Sequence, residues 1–368
     1  MDRQDKRLHR LRRPVRFSTV RIWVAVAAAV CWPATVQAHE KWFHHGPQPA
    51  LDFAAPFRPL PLFLIGCSIG VTALAAVAWW WRGRRDLLPG LERLGATADR
   101  LQAFYGLVPA ILGVHLAIPL LANGVQGDLF SPDNELVRPW KYSLGFVQTC
   151  VSLAWFYGFM TRPAAVLLLL LWLAAIPLIG LEPALENIHF AGFAAFFWLA
   201  GRGPWSLDRL LCPRLEPSPQ LQRWALPVAR TGMGLSLIIV AFTEKFANHR
   251  LAISFLREYP LNFMPALGVN WSDETFALFA GAMELTIGLW VLLGLFPRLV
   301  VIVAWIPFTL TVSIFNWTEL VGHLPIYGLL FVMLVWDARP AEQSVVIRGY
   351  RGEATEEETA SDPAAGAH

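Results

Sequence analysis

The sequence predicts an all-α, polytopic helical membrane protein, and three observations predict it. Hydrophobic residues make up 55% of the chain and charged residues 15%, far from the balance of a soluble domain. Apolar runs of membrane-spanning length recur through most of the 368 residues, more than one soluble core could bury. Basic residues stand in short clusters at alternate connections between those runs, the placement that orients a chain across a bilayer. A net charge of +3, dispersed in this way, implies membrane lipids as surroundings and no nucleic-acid partner.

Residues 1–38 read as a cleaved signal peptide. Arg10, Arg12, Arg13, Arg16 and Arg21 precede the apolar run WVAVAAAVCWPATV, which is short for a span, and Val36-Gln37-Ala38 supplies a small-x-small site before His39. An uncleaved anchor is the alternative. Residues 39–57 then form a periplasmic segment, and 58–82 an extra transmembrane helix, Leu60–Trp81, stopped by Arg82, Arg84 and Arg85. Eight further spans are expected: Ala103–Asn123, Tyr142–Met160, Ala164–Leu181, Ile188–Ala200, Leu226–Phe242, Thr275–Leu295, Leu299–Phe315 and Leu320–Trp336. With nine crossings, the basic connections at Arg82–Arg85, Arg162, Arg202–Arg214, Arg298 and Arg339 to Arg348 face the cytosol of a bacterial inner membrane. The N-terminus is then periplasmic and the C-terminus cytoplasmic. The tail over 339–368, acidic and rich in small residues, is expected to be disordered. The four cysteines, Cys31, Cys67, Cys150 and Cys212, form no C-x-x-C pair, so any thiol chemistry belongs to a partner.

Two stretches repeat. GFVQTCVSLAWFYGFMTR (Gly145–Arg162) and GAMELTIGLWVLLGLFPR (Gly281–Arg298) match at one offset through Gly145 and Gly281, Gln148 and Glu284, Gly158 and Gly294, Arg162 and Arg298. Beyond them, ENIH (Glu186–His189) answers ELVGH (Glu319–His323). Units over 100–210 and 223–338, each of four spans, are therefore expected to be parallel copies about an axis along the membrane normal. Neither shows a broken-helix signature of transport.

The second unit carries a further likeness. Arg230 in PVARTGMGLSL, Glu244-Lys245, the G-x-x-E-L of Gly281–Leu285, the G-L-x-x-R of Gly294–Arg298 and the membrane residue His323 resemble the DoxX-like family. GRGPWSLD (Gly201–Asp208) looks like the usual end of such a unit. The first copy lacks equivalents of Arg230 and Glu284 and reads as a degenerate half. What the resemblance implies is a four-helix membrane module associated with redox systems, among them the DoxD subunit of thiosulfate:quinone oxidoreductase and the membrane partners of thiol-oxidative-stress enzymes. It implies a quinone as cofactor and a redox or periplasmic protein as partner. The chain has no motif for flavin, haem attachment or iron–sulfur binding.

Glu284 falls in mid-span, where a carboxylate is costly to insert and a short side chain cannot reach water. It is either a proton-exchanging group or a fixed counter-ion to Arg230 or Lys245. Glu284, His323 and Glu319 are the candidate catalytic residues, and Arg230, Glu244 and Lys245 the candidate cofactor-binding ones. Glu319 and His323, four apart, and Glu186 and His189, three apart, each share a helix face. They suit quinone binding, proton relay or a simple interfacial hydrogen bond. A di-iron centre needs a carboxylate from each of the other two helices as well, and Gln148 stands at one such position. His115 reads as a packing residue.

HEKWFHH (His39–His45) remains. After cleavage, the α-amine and imidazole of His39, with His44 or His45, would offer copper a ligand set. That is the basis of the alternative function, non-enzymatic copper handling or membrane-complex assembly. Otherwise Trp42 and Phe43 rest on the membrane surface.

Overall fold

The computed structural model describes residues 39–43, 48–212, 214 and 219–336; the signal region, His44, His45 and the tail lie outside them. Every regular element among the described residues is helical. In chain order these are α1 (Glu40–Phe43), α2 (Pro59–Trp81), α3 (Ala98–Gln126), α4 (Trp140–Tyr157), α5 (Thr161–Ile179), α6 (Leu181–Glu186) and α7 (Ile188–Ala200). There follow α8 (Leu207–Leu211), α9 (Pro219–Gln222), α10 (Ala225–Val240), α11 (His249–Glu258), α12 (Asp273–Leu293) and α13 (Pro297–Val335). Outward faces are apolar, with Phe63, Leu74, Phe146 and Leu170 exposed, while Glu244, Lys245, Glu284 and Glu319 lie inside. That inversion suits a lipid solvent, which leaves charged groups only the bundle interior.

Seven of the described helices are long and apolar enough to cross a membrane: Pro59–Trp81, Phe104–Gln126, Thr161–Ile179, Ala225–Phe246, Asp273–Leu293, Pro297–Phe315 and Trp317–Val335. The two other expected crossings fall short. Helix α4 has 18 residues but carries Lys141, Ser143, Gln148 and Thr149. Helix α7 has 13 residues, about 20 Å at 1.5 Å per residue, against a core of about 30 Å. It is preceded by the short helix α6, and the two meet at Asn187.

Helix α13 is two antiparallel legs rather than one rod. Its 39 residues would extend about 58 Å if straight. Yet the Tyr327 hydroxyl donates to Thr309 Oγ1 at 3.3 Å and the Phe308 and His323 rings lie 4.9 Å apart. The chain turns back between Phe315 and Trp317.

Packing follows a crossed pattern. Helix α3 packs on α4 and on α13, and α10 packs on α12 and on α7. The first helix of each four-helix stretch thus lies against the last helix of the other. At the α7–α10 crossing, Gly192 and Gly232 meet backbone to backbone; a Cβ on Gly192 would sit 2.8 Å from the Gly232 Cα. Such small residues let helices approach where lipid supplies no hydrophobic drive. The extra helix α2 lies on α12, its Ser68 hydroxyl donating to the Ala282 carbonyl at 3.0 Å.

The helix ends differ in charge. At one end Asp208 caps α5 through the Met160 and Thr161 amides, Arg202 donates to the Trp155 and Phe156 carbonyls, and Asp86 accepts from the Arg298 amide at 2.7 Å. The opposite end gathers Glu182, Glu186 and Glu244, and there the N-terminal segment enters the bundle.

Candidate functional site

The site is built at the end of α10, where the helix widens. Ala241–Phe246 forms a π-helical turn, closed by the Ala247 amide donating to the Phe242 carbonyl at 2.7 Å. The wider turn brings three consecutive polar residues, Thr243, Glu244 and Lys245, to buried positions, which the regular helical rotation of 100° per residue does not allow on one face. Single π turns of this kind recur at functional sites.

Lys245 is the hub. Its Nζ lies 3.1 Å from Glu284 Oε2 and 3.8 Å from both Glu244 Oε2 and Glu40 Oε1. Glu284 sits halfway along α12 and is 4% exposed. A carboxylate at that depth is tolerable because a cation is in contact with it.

The segment His39–Phe43 supplies half of the remaining charges. The Glu40 amide donates to Glu244 Oε2 at 2.9 Å, and His39 Nδ1 lies 3.5 Å from Glu244 Oε1. Lys41 donates to Glu186 at 2.5 Å and to Glu182 at 2.8 Å. The Thr243 hydroxyl also donates to Glu186, whose backbone carbonyl, freed by the helix break at Asn187, accepts from Ser236. Trp42 packs over Gly322, where any Cβ would run into the indole. Phe43 enters an aromatic cluster with Phe315 at 4.6 Å and Tyr259 at 6.3 Å. These aromatics are half-buried and packed on other side chains of the fold, beyond the surface contact expected of them. Downstream, the Asp52 amide donates to Ala247 O and Asn248 Nδ2 to Pro49 O, so the chain is tied to the π turn again before α2.

The charges on this segment respond to where they lie. Burial pulls the His39 pKa down, but the hydrogen bond and charge of Glu244, with Glu319 and Glu284 beyond, outweigh it and push the value up to about 9. Burial pushes Glu40 up to about 8 despite the opposing charge of Lys245. Burial would also lower Lys41; the charges of Glu186 and Glu244 and the hydrogen bonds of Glu182 and Glu186 hold it above its ordinary value. At neutral pH the segment enters the bundle as a cation, facing acidic walls.

Beside this cluster is a cavity of about 120 Å³, bounded by His39, Glu186, His189, Glu244 and His323 and lined also by Phe130 and Phe308. It has room for several waters or one small ring. His189 Nδ1 is 3.0 Å from Ser236 Oγ. His323 Nε2 is 3.4 Å from Glu319 Oε1, and its Nδ1, though buried, has no hydrogen-bond partner. The His39 and His323 rings are 6.0 Å apart.

The matching position in the first stretch is quieter. Gln148 is wholly buried, accepts from the Phe130 amide at 3.1 Å and donates to the Leu120 and Asp128 carbonyls. The loop after α3 fills that space, as the N-terminal segment fills the space beside Glu284. His115 bonds the Ile111 carbonyl of its own helix at 2.8 Å.

Of the residues singled out in the sequence, the structure gathers Glu284, Glu244, Lys245, Glu319, His323 and His39. Arg230 does not join them, a correction to its assignment to the same site. It precedes Glu244 by 14 positions on α10, about 21 Å at the helical rise, and packs against Gly294 at the other end of α12. His44 and His45 lie outside the described residues. Among the described residues, no group of three or more His, Cys, Asp or Glu side chains could hold a metal ion. Sequence reasoning missed Glu40, Lys41 and Thr243. The signal was the charge density of HEKWF itself, costly to bury without acidic partners.

Compared with family models, with curated proteins and with solved structures, the chain matches none.

Proposed function

We propose that the chain is a DoxX-like subunit of a quinone-linked thiosulfate or thiol oxidoreductase in the bacterial inner membrane. It crosses nine times after signal cleavage, as two parallel four-helix units, with the N-terminus periplasmic and the C-terminus cytoplasmic. The crossed packing of α3 on α13 and α10 on α7 supports the two-unit reading. The basic ends at Arg202 and Arg298 support the orientation.

The observation that carries the functional reading is the Lys245–Glu284 pair at mid-span, one shell from a cavity bounded by three histidines. Reduction of a quinone takes up two electrons and two protons. Glu284, Glu319 and His323 are groups that can deliver protons from the buried side, and the electrons come from a partner protein, because the chain holds no carrier motif. Glu186 and Glu244 on the cavity wall repel an anion such as thiosulfate, so the neutral quinone is the ligand here and sulfur oxidation belongs to the partner. Redox-difference spectroscopy with a quinone analogue tests this. Saturable binding is expected, weakened at least tenfold by Glu284→Gln, about 1.4 kcal/mol. No binding, or binding indifferent to Glu284→Gln, refutes it.

A second reading, copper handling or complex assembly through His39, is favoured by one observation: the His39 and His323 rings lie 6.0 Å apart, tilted by 52°. Metal analysis of the purified chain and of its His323→Ala variant separates the two.

A further inference from the structure

The acidic pocket lacks a cation. Five carboxyl groups, Glu40, Glu186, Glu244, Glu284 and Glu319, are buried together with two bases, Lys41 and Lys245, and a third, the partly exposed His39, joins them. Five acids thus face three bases. Four of the five are engaged: Glu40 and Glu284 by Lys245, Glu186 by Lys41, and Glu244 by His39 and the Glu40 amide. Glu319 is different. It is 0% exposed; the side chains nearest it are His323, whose Nε2 is 3.4 Å away, and Thr311, whose hydroxyl is divided between Glu319 and the Phe308 carbonyl, with the charge of His39 beyond them. A buried carboxylate left in that condition is among the costlier defects a fold can carry.

The N-terminal segment passes over it. Trp42 is pinned on Gly322, one turn from Glu319 on the same face of α13. The His39 ring stacks on Trp42 at 4.1 Å, its carbonyl accepts from the Trp42 amide at 3.1 Å, and its ring stands 6.0 Å from that of His323. His39 is thereby held by its ring beside the leg of α13 that carries Glu319 and His323. The three residues before it, Val36-Gln37-Ala38, are a small-x-small processing site.

We propose that the peptide bond between Ala38 and His39 is hydrolysed by a membrane signal peptidase, and that the α-ammonium group so created is the missing cation, paired with Glu319. Water adds hydroxyl to the Ala38 carbonyl and a proton to the departing His39 nitrogen. The amine then takes a second proton from solvent and remains charged in the pocket. The pocket is thus an N-terminal amine receptor for its own chain, and processing completes it. The inference rests on the cleavage proposed above and is independent of the quinone.

Two measurements on the full-length product purified from membranes test it separately. Intact mass and N-terminal sequencing decide the cleavage: a chain beginning at His39 is expected, and any other start overturns the proposal. An N-terminus-selective aldehyde then reads the accessibility of the α-amine in folded protein. Slow labelling is expected, at least tenfold faster in Glu319→Gln and slow again in Glu319→Asp, which restores the charge. Rapid labelling of the unsubstituted protein, or equal rates in Glu319→Gln, overturns the ion pair even where the cleavage is correct. Stoichiometric copper whose removal alone exposes the amine overturns it as well, because the nitrogen is then a metal ligand.

Discussion

Replacing Lys245 with methionine should damage the protein more than replacing any one of the carboxylates around it. Lys245 Nζ serves Glu284 at 3.1 Å and Glu40 and Glu244 at 3.8 Å, so its loss removes the shared cation from three acids inside a membrane bundle. Breaking a buried pair from one side costs roughly 3–5 kcal/mol, because the partner is left charged and unsolvated. Protonation of Glu284 caps the loss, and about 4 kcal/mol is expected for Lys245→Met. Glu284→Gln is milder, since Lys245 keeps two other acids, and about 1–2 kcal/mol is expected on the scale of a hydrogen bond to a charged group. The double variant should recover more than 1 kcal/mol relative to the sum of the two, as residues in one network do. Unfolding by denaturing detergent, monitored by tryptophan fluorescence, measures all three. Equal losses in the two single variants, or strict additivity, would show that Lys245 is not the hub.

Three other outcomes follow from the same geometry. Gly322→Val places side-chain atoms where the Trp42 indole lies, so the N-terminal segment should undock and become cleavable by added protease in membranes. Raising pH should have the same effect. The His39 proton is held to about 9 against 6.5 when free, and the Glu40 proton to about 8 against 4.5. Both contributions are full below the free values and lost as pH climbs through the folded ones, so protease sensitivity should rise between about pH 7 and 9. Gln148→Glu removes the donor to the Leu120 and Asp128 carbonyls and sets a carboxylate against them; a loss of about 2–4 kcal/mol is expected in the detergent titration.

Much of this architecture is legible in the sequence, and the illegible parts have physical causes. Long apolar runs mark α2, α5 and α12 because a bilayer crossing leaves few alternatives. Helix α7 reads as a crossing from its composition, although its 13 residues are short for one. The turn-back of α13 is legible too: the polar residues Asn316, Thr318 and Glu319 interrupt the apolar run where the expected spans Leu299–Phe315 and Leu320–Trp336 part. Within the site, Glu284 announces itself by depth and Lys245 by adjacency to Glu244. Arg230 misleads because residues of the same span share a line of text while lying about 21 Å apart along the helix. HEKWF is the clearest case: nothing local says that Lys41 meets Glu186, 145 positions away. Only the excess of carboxylates on the receiving helices hints that a cation must arrive from elsewhere.

The central claim is that His39–Phe43 is built into the bundle beside Glu244, Lys245 and Glu319. The most direct measurement places a photo-crosslinking benzophenone amino acid at Trp42 in the full-length chain, irradiates native membranes and identifies the captured peptide by mass spectrometry. The expected product joins the segment to residues 317–335, the leg that carries Gly322 and His323. Capture of lipid alone, or of residues from the arginine-bearing end, would contradict it and leave the pocket without its cationic occupant.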